Sequence, residues 1–237
     1  MRIIIDISPN QSKKRRSIKD IKTIIIHYTG MQSEIESLER LKNIKSKVSC
    51  HYLINRKGLI KQLVKDHKIA WHAGKSKWKN QKDLNETSIG IELENKGHKN
   101  GYQNFTKIQI NRLIKLCKKL KKKYKIKNEN FLGHSDIAPL RKIDPGEKFP
   151  WKKLSDYKLG NWYKKKQLTF ALNKKKEVRN QFFLNLYKIG YRYFSLNKSN
   201  QADRSIVRAF QQRYNPRKAT GKIDKKTLII SHFLANP

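Results

Sequence analysis

The stretch IGIELEN, residues 89–95, is the clearest indication of how the chain folds. Isoleucine and leucine alternate in it with glycine and glutamate, which is the two-residue period of a β-strand with one apolar face. The same alternation places Glu92 and Glu94 side by side on the other face. The chain has only 18 acidic residues against 56 lysines and arginines, so a pair of carboxylates on one strand calls for an explanation.

Segments on both sides of this strand extend the pattern. TIIIHYT (23–29) indicates a second, β-branched strand, and HYLINRKGLIKQLV (51–64) indicates a hairpin that turns at RKG. Helical spacing is present in residues 34–44 and in residues 106–125, where Thr106 is the expected N-cap. Strands that alternate with helices in this way predict an α/β fold, with a mixed central β-sheet flanked by helices.

We predict that the chain contains two domains of unequal size. Its 237 residues, of which 37% are hydrophobic, suffice for a core in each. The larger domain is expected at residues 1–160, a connecting segment at 161–176 and a small domain of three helices at 177–237. The last of these helices is expected to begin with Asp224 as its N-cap.

The formal charge of +38 raises the question of a polyanionic partner. The excess is mostly lysine, and no DNA-reading motif or basic helix with interleaved aromatic residues is evident. The densest cluster, residues 117–127, fits the polar side of the helix predicted at 106–125. We therefore expect solvated surface lysine and no specific nucleic-acid partner, with a basic nucleic-acid-binding protein as the less favoured alternative.

The cysteines say little about the cellular compartment, and the apolar runs are short. Cys50 and Cys117 have neither zinc-ribbon nor redox spacing and form no disulfide framework. The apolar run of the N-terminus is interrupted by Asp6 and is shorter than the core of a signal peptide. No run of about 18 apolar residues is present, so we expect no membrane span and no conventional signal peptide.

Two histidines and an aspartate form a candidate metal site. His27 ends the TIIIHYT strand, and His134 lies in a segment rich in turn residues. Asp144 follows and precedes Pro-Gly, a turn that can fold its carboxylate back toward His134. Two imidazoles and a carboxylate suit zinc and leave one position for water. From spacing alone, a structural histidine and an ordinary Asp-Pro-Gly turn remain the commoner explanation.

Five blocks of sequence together resemble a known enzyme family. They are IIIHYT, CHYLINRKG, WHAGKSKW, LNETSIGIELEN and GHSDIAPLRKIDPGEKFPW. Their order and approximate spacing are similar to those of the zinc-dependent N-acetylmuramoyl-L-alanine amidases of the AmpD and AmiD type, relatives of T7 lysozyme and the peptidoglycan recognition proteins. The resemblance covers residues 22–151.

The resemblance implies a reaction and a role for each candidate residue. The reaction is hydrolysis of the amide between the lactyl group of (anhydro-)N-acetylmuramic acid and L-alanine of the stem peptide, in peptidoglycan or muropeptides. The implied ligands of one Zn²⁺ per chain are His27, His134 and Asp144. Glu92 is implied as the general base and Glu94 as an orienting group. Lys142 is implied to stabilise the oxyanion.

The remaining residues of these blocks are expected in supporting positions. The residues expected in the cleft wall that holds sugar and peptide are Trp71, His72, Ala73 and Asn95. His51 is expected to be structural. The histidines expected at the surface, outside any metal-like group, are His67, His98 and His232.

The C-terminal segments IVRAFQQRYNP and ATGKIDKKT resemble the helical peptidoglycan-binding module of the AmiD branch. This resemblance implies a wall-binding role for residues 177–237, so that their removal should affect cleavage of intact sacculi more than cleavage of soluble muropeptides. An unrelated three-helix bundle is the alternative.

Two further alternatives concern the whole chain. A non-catalytic peptidoglycan receptor would keep the cleft and lose ligands, but all implied ligand positions are present here. For location, the two-domain layout is that of envelope amidases of the AmiD type, whereas the start resembles cytoplasmic amidases of the AmpD type. We expect the cell envelope or periplasm, with the cytoplasm as the alternative.

Overall fold

A mixed β-sheet lies at the centre of the protein. The structure is a computed structural model that describes residues 2–164 and 175–237, the side chains of 175–177 excepted. In these ranges the strands are β1 (Ile3–Ile5), β2 (Gln11–Arg15), β3 (Thr23–Tyr28), β4 (Tyr52–Ile54), β5 (Ile60–Gln62), β6 (Lys68–Ala70), β7 (Lys77–Trp78), β8 (Gln81–Lys82), β9 (Ser88–Leu93) and β10 (Phe131–Gly133). The main sheet has the order β1-β5-β4-β9-β3-β10. Its β4 and β5 pair antiparallel, whereas its other neighbours run parallel, which confirms the mixed sheet and the predicted hairpin.

Helices cover this sheet and form the C-terminal part of the chain. They are α1 (Glu34–Lys42), α2 (Lys107–Tyr124), α3 (His134–Ile137), α4 (Trp151–Asp156), α5 (Lys175–Ile189), α6 (Ala202–Tyr214) and α7 (Lys225–Ala235). Helix α2 begins after Thr106, whose Oγ1 accepts a hydrogen bond from the amide of Gln109 at 3.1 Å. Its apolar face packs in the same core cluster as the isoleucines of β3 and β9. Both long helices of the larger domain were thus predicted from their spacing.

The parallel strands β3, β9 and β10 bring three chain segments to one edge of the sheet. In the register of β3 and β9, His27 lies directly opposite Glu92. Strand β10 pairs with β3 on its other side and is followed at once by His134. Because the carboxyl ends of parallel strands meet at the same edge, residues far apart in sequence become neighbours there.

The C-terminal helices share a hydrophobic core with the sheet. Phe182 and Phe210 belong to the same cluster of buried side chains as Ile25, Leu132 and Ile137. The predicted three helices and the N-cap of α7 are present, since the Asp224 carboxylate accepts from the amide of Thr227 at 2.7 Å. The predicted connection at 161–176 falls largely on residues 165–174, which lie outside the described residues, so the domain boundaries stay a prediction.

The part of the chain that the structure describes contains no membrane-spanning helix. Across residues 2–164 and 175–237, no helix combines the length and the apolar character that crossing a membrane requires.

Candidate active site

His27, His134 and Asp144 converge at the carboxyl edge of the sheet. The two Nδ1 atoms are 2.9 Å apart, and the Asp144 Oδ2 lies 3.0 Å from that of His27 and 3.1 Å from that of His134. All three residues are buried. His27 is fixed by the central strand β3, His134 by the junction of β10 and α3, and Asp144 by a backbone hydrogen bond from Ser135 to its carbonyl at 2.9 Å.

The donor set fits a divalent cation. The His134 Nε2 lies 3.2 Å from the carbonyl of Ala73, and because a carbonyl only accepts, this nitrogen carries the proton and Nδ1 presents a lone pair. A tetrahedral zinc with bonds of about 2.0–2.1 Å places its ligand atoms about 3.3 Å apart, close to the spacing found here. When the His27 Nδ1 also presents its lone pair, the three facing atoms form an electron-rich pocket that a cation completes.

The protonation states of the ligands suit metal binding. Burial, followed by the nearby His134, lowers the pKa of His27 to about 4. Burial alone would raise the pKa of Asp144, but the neighbouring His134 and His27 hold that pKa well below its ordinary value. A neutral imidazole and an ionised carboxylate are the forms that bind metal ions.

His72 contacts the ring nitrogen of His27 that does not face Asp144. Its Nδ1 lies 3.1 Å from the His27 Nε2, and its Nε2 lies 3.2 Å from the hydroxyl of Ser88. Ser88 in turn donates to the carbonyl of Leu84 at 2.5 Å. If His27 presents Nδ1 to the metal, every bond of this chain has one donor and one acceptor. His72 was expected in the cleft wall; it does line the cleft, and it also holds the orientation of a metal ligand.

The glycine of the IGIELEN stretch makes room for this support. A Cβ atom on Gly90 would lie 2.4 Å from the ring of His72, so no larger residue fits there without moving that ring. His51, on the other side of Gly90, accepts from its amide at 3.0 Å and contacts the Arg16 guanidinium at 2.8 Å. This buried position agrees with the structural role expected for His51.

Glu92 lies beside the three converging atoms. The residue is half-buried and lines the cleft, and its Oε2 is shielded, with no hydrogen-bond partner among the described residues. Burial, followed by the charge of Asp144, raises the pKa of Glu92 to about 8, while Lys142 acts in the opposite direction. A carboxylate in such a place can accept a proton near neutral pH.

Glu94 has a structural role at the turn between β4 and β5. It follows the last residue of β9, and its Oε2 accepts a hydrogen bond from the backbone amide of Arg56 at 2.8 Å. That amide belongs to the turn between β4 and β5. The Glu92 carboxylate thus faces the cleft, whereas the Glu94 carboxylate stabilises the hairpin of β4 and β5.

The cleft has a volume of about 390 Å³, which is in the range of small-molecule sites. Trp71 and Lys142 line it as the sequence predicts. Ala73 and Asn95, which were expected in the cleft wall, do not line it. The carbonyl of Ala73 contacts His134, and the side-chain oxygen of Asn95 accepts a hydrogen bond from the amide of Gly97 at 3.0 Å.

Several residues of the cleft were not expected there from the sequence. His98, expected at the surface, lines the cleft and lies 3.0 Å from the hydroxyl of Tyr28. Four basic side chains also line it: Arg40, Lys96, Lys99 and Arg141. In a chain with 56 lysines and arginines, no local signal distinguishes these four from ordinary surface residues.

Comparison with known proteins gives consistent matches. Residues 17–147 match the family Amidase_2, described as N-acetylmuramoyl-L-alanine amidase. The chain is 36% identical over 229 residues to the N-acetylmuramoyl-L-alanine amidase AmiD of Escherichia coli K12, an alignment that covers 90% of this chain and 82% of AmiD.

Two solved structures share the fold over nearly the whole chain. One is E. coli AmiD in complex with the substrate anhydro-N-acetylmuramic acid-L-Ala-D-γ-Glu-L-Lys, with a TM-score of 0.80, 33% identity and coverage of 94% of this chain and 91% of that one. The other is AmpDh3 of Pseudomonas aeruginosa in complex with anhydromuramic pentapeptide, with a TM-score of 0.81, 28% identity and coverage of 94% and 92%.

Proposed function

The chain belongs to the N-acetylmuramoyl-L-alanine amidase family, and we propose that it is a zinc enzyme that releases the stem peptide from anhydromuramyl substrates. The bond cleaved is the amide between the lactyl group of the muramic acid and L-alanine. The observation that carries the proposal is the convergence of His27, His134 and Asp144 beside the shielded carboxylate of Glu92. The complexes of AmiD and AmpDh3 with anhydromuramyl peptides support the substrate class.

The residues of the site divide the chemistry among them. His27, His134 and Asp144 would hold the zinc, which when bound supplies Lewis acidity to the scissile carbonyl and to a water molecule. Glu92 accepts the proton of the attacking water and later delivers it to the leaving amine, so its carboxylate must be able to hold a proton for part of the cycle. Its raised pKa suits that task.

Two neighbouring residues assist the reaction without transferring the proton themselves. Lys142 lines the same cleft, and its ammonium group favours the negative charge that develops on the carbonyl oxygen. His72 keeps the ring of His27 in one orientation through the 3.1 Å contact between them.

The cysteines take no part in the reaction. Cys50 and Cys117 are fully buried, and burial raises the pKa of each thiol well above its ordinary value. A protonated, inaccessible thiol is a poor nucleophile, so the hydrolysis proceeds by direct attack of water.

Product analysis by mass spectrometry tests the proposal. Defined anhydro and reducing-end muropeptides and intact sacculi are incubated with the full chain, with and without a chelator. We expect free stem peptide from the anhydro substrate, loss of cleavage with the chelator and recovery with added zinc. Cleavage that persists after complete metal removal would contradict the zinc assignment. Zinc-loaded protein that binds the muropeptide without cleaving it would favour the receptor alternative.

We further propose that the protein works in the cell envelope. The alignment with AmiD extends over 90% of the chain and so includes C-terminal helices, and the sequence resemblance associates this layout with envelope amidases. Fractionation of cells that express the full chain, followed by immunoblotting, tests this location, and recovery in the cytoplasm alone would contradict it.

A further inference from the structure

Helix α6 contacts both chain segments that carry the ligands His134 and Asp144. Its consecutive residues Gln212 and Arg213 reach two different places beside the site. Both side chains are buried, although a helix of an appended domain would be expected to keep such polar groups in solvent.

Arg213 binds Asp136, which lies in the short helix α3 that begins with His134. The guanidinium donates from Nη1 to the Asp136 Oδ2 at 2.5 Å, and the two side chains are 3% and 0% exposed. The same Oδ2 accepts from the amide of Gly133 at 2.8 Å, one residue before His134. Tyr191, which follows α5, donates its hydroxyl to the other oxygen of Asp136 at 2.5 Å.

Arg213 also binds the strand that leads to His134. Its Nη2 donates to the carbonyl of Phe131 in β10 at 2.9 Å. The Cζ atom of its guanidinium lies 4.1 Å from the centre of the Trp151 ring in α4. One side chain of α6 therefore fixes the backbone before His134 and the helix after it.

Gln212 reaches the segment that follows Asp144. Its amide donates to the Glu147 Oε2 at 3.2 Å, and the same oxygen lies 3.0 Å from the Nε2 of His98. His98 in turn contacts the hydroxyl of Tyr28, which is next to His27 in β3. The loop of Asp144 is thus held between α6 and the end of β3.

We propose that Tyr191, Gln212 and Arg213 are positioning residues, which hold His134 and Asp144 at the separation that metal binding requires. The C-terminal helices are then part of the metal site and not only an attached module. The proposal rests on the zinc site of the proposed function. Groups that hydrogen-bond metal ligands affect metal affinity by about 10- to 100-fold in known sites. The three residues here act one contact further out, through Asp136 and Glu147, so the lower end of that range is expected, whereas a packing role alone changes only the stability of the fold.

Single substitutions in the full chain separate these two roles. Tyr191→Phe removes one hydroxyl and keeps the ring. Arg213→Lys keeps the charge but loses the planar guanidinium, whose two nitrogens donate to different acceptors. Phe183→Leu is the control, because Phe183 lies in the core of the C-terminal helices against Phe182 and Phe194. For each variant we measure Tm without metal, the zinc Kd by competition with a chromogenic chelator, and kcat and KM on a soluble anhydromuropeptide.

We expect Tyr191→Phe and Arg213→Lys to weaken zinc binding about 10-fold or more, and to lower kcat with little change in KM when zinc is limiting. Phe183→Leu should lower Tm while its zinc Kd stays that of the wild type. Unchanged zinc affinity in Tyr191→Phe would overturn the proposal, and this variant decides the matter if Arg213→Lys does not fold. Wild-type protein that binds no zinc would overturn the proposed zinc site as well, so the two failures are distinguishable.

Discussion

Two buried carboxylates, Asp66 and Asp144, differ in what surrounds them. The groups that face Asp66 are all donors: the hydroxyl of Tyr52 at 2.6 Å, the amide of Gln62 at 3.0 Å, the ammonium of Lys123 at 3.2 Å and the hydroxyl of Tyr124. A carboxylate with this many donors is satisfied by the protein itself. The Asp66 cluster therefore needs no further ligand, and we assign it a structural role.

The hydrogen-bonding groups around Asp144 differ from those around Asp66. It faces the Nδ1 atoms of His27 and His134. The outer contact of His134 with a carbonyl makes its Nδ1 an acceptor, and the chain from His72 to Leu84 is complete when the His27 Nδ1 is an acceptor as well. Nearby, the Oε2 of Glu92 has no partner among the described residues. An excess of buried acceptors is costly unless a cation or a substrate completes it. The balance of donors and acceptors, and not burial, distinguishes the candidate reactive site from the structural cluster.

The largest effect on zinc binding and hydrolysis is expected from His134→Ala. Removing one of three ligands should abolish stoichiometric zinc binding and reduce hydrolysis to background, because the two remaining groups cannot hold the ion. Zinc content after dialysis and cleavage of a soluble anhydromuropeptide are measured together. His67→Ala, a histidine that does not line the catalytic cleft, is the matched control. Full zinc occupancy in His134→Ala would show that the ligand assignment is wrong.

Glu92→Gln should retain zinc and lose activity. The amide keeps the shape of the side chain but cannot accept the proton of water, so we expect kcat to fall by roughly 100-fold or more, the usual range for a general base. Purified variants with equal zinc content are compared on one soluble muropeptide across pH.

Glu94→Gln is the control for that experiment, since its carboxylate binds the Arg56 amide at the hairpin turn. Its effect on kcat should be small. An inactive Glu94→Gln beside an active Glu92→Gln would exchange the two roles and would contradict the geometry of the cleft.

A smaller effect is expected from His72→Phe. The ring is kept, but the acceptor for the His27 Nε2 is lost, so zinc affinity should fall about 10-fold. Chelator competition measures this change. Ser88→Ala removes the next bond of the chain and should have a weaker effect in the same direction. Wild-type zinc affinity in His72→Phe would mean that packing alone orients His27.

Sequence reasoning predicted the elements whose pattern is long or local. The alternation of IGIELEN, the β-branched run before His27 and the helix after Thr106 all gave the correct structure type. Strand β10 and helix α3 were missed because three and four residues are too few to show a period. Residue types and turn chemistry therefore suggested His27, His134 and Asp144 only as a candidate set, and the resemblance to amidases made this set the favoured one.

Contacts between distant segments had no local signal. The bonds of His72 to His27, and of Arg213 to Asp136, join residues 45 and 77 positions apart. These contacts also bear on the prediction that removal of residues 177–237 affects cleavage of intact sacculi more than cleavage of soluble muropeptides. The core shared with the C-terminal helices favours loss of activity on soluble and intact substrates alike, whereas a selective loss on sacculi would support the wall-binding role.

The smallest effect on catalysis is expected from Asp66→Asn, which tests the structural cluster. Burial alone would raise the pKa of Asp66, but hydrogen bonds from Tyr124 and Tyr52 and the charge of Lys123 lower it below its ordinary value of 3.8. A carboxyl group whose pKa is lower in the folded state stabilises the fold above its unfolded pKa, and this contribution is lost as pH falls through the folded value.

The wild type should therefore lose stability as pH falls below about 4, the ordinary range of an aspartate, and Asp66→Asn should lose less over the same interval. At pH 7 the variant should be less stable by roughly 1.5–3 kcal/mol, the contribution of hydrogen bonds to a charged group. Urea unfolding at several pH values gives both quantities. Zinc affinity and kcat of the folded variant should match the wild type, because Asp66 lines a different surface from the catalytic cleft. A large fall in kcat at full zinc occupancy would mean that the two carboxylate clusters are coupled through the sheet.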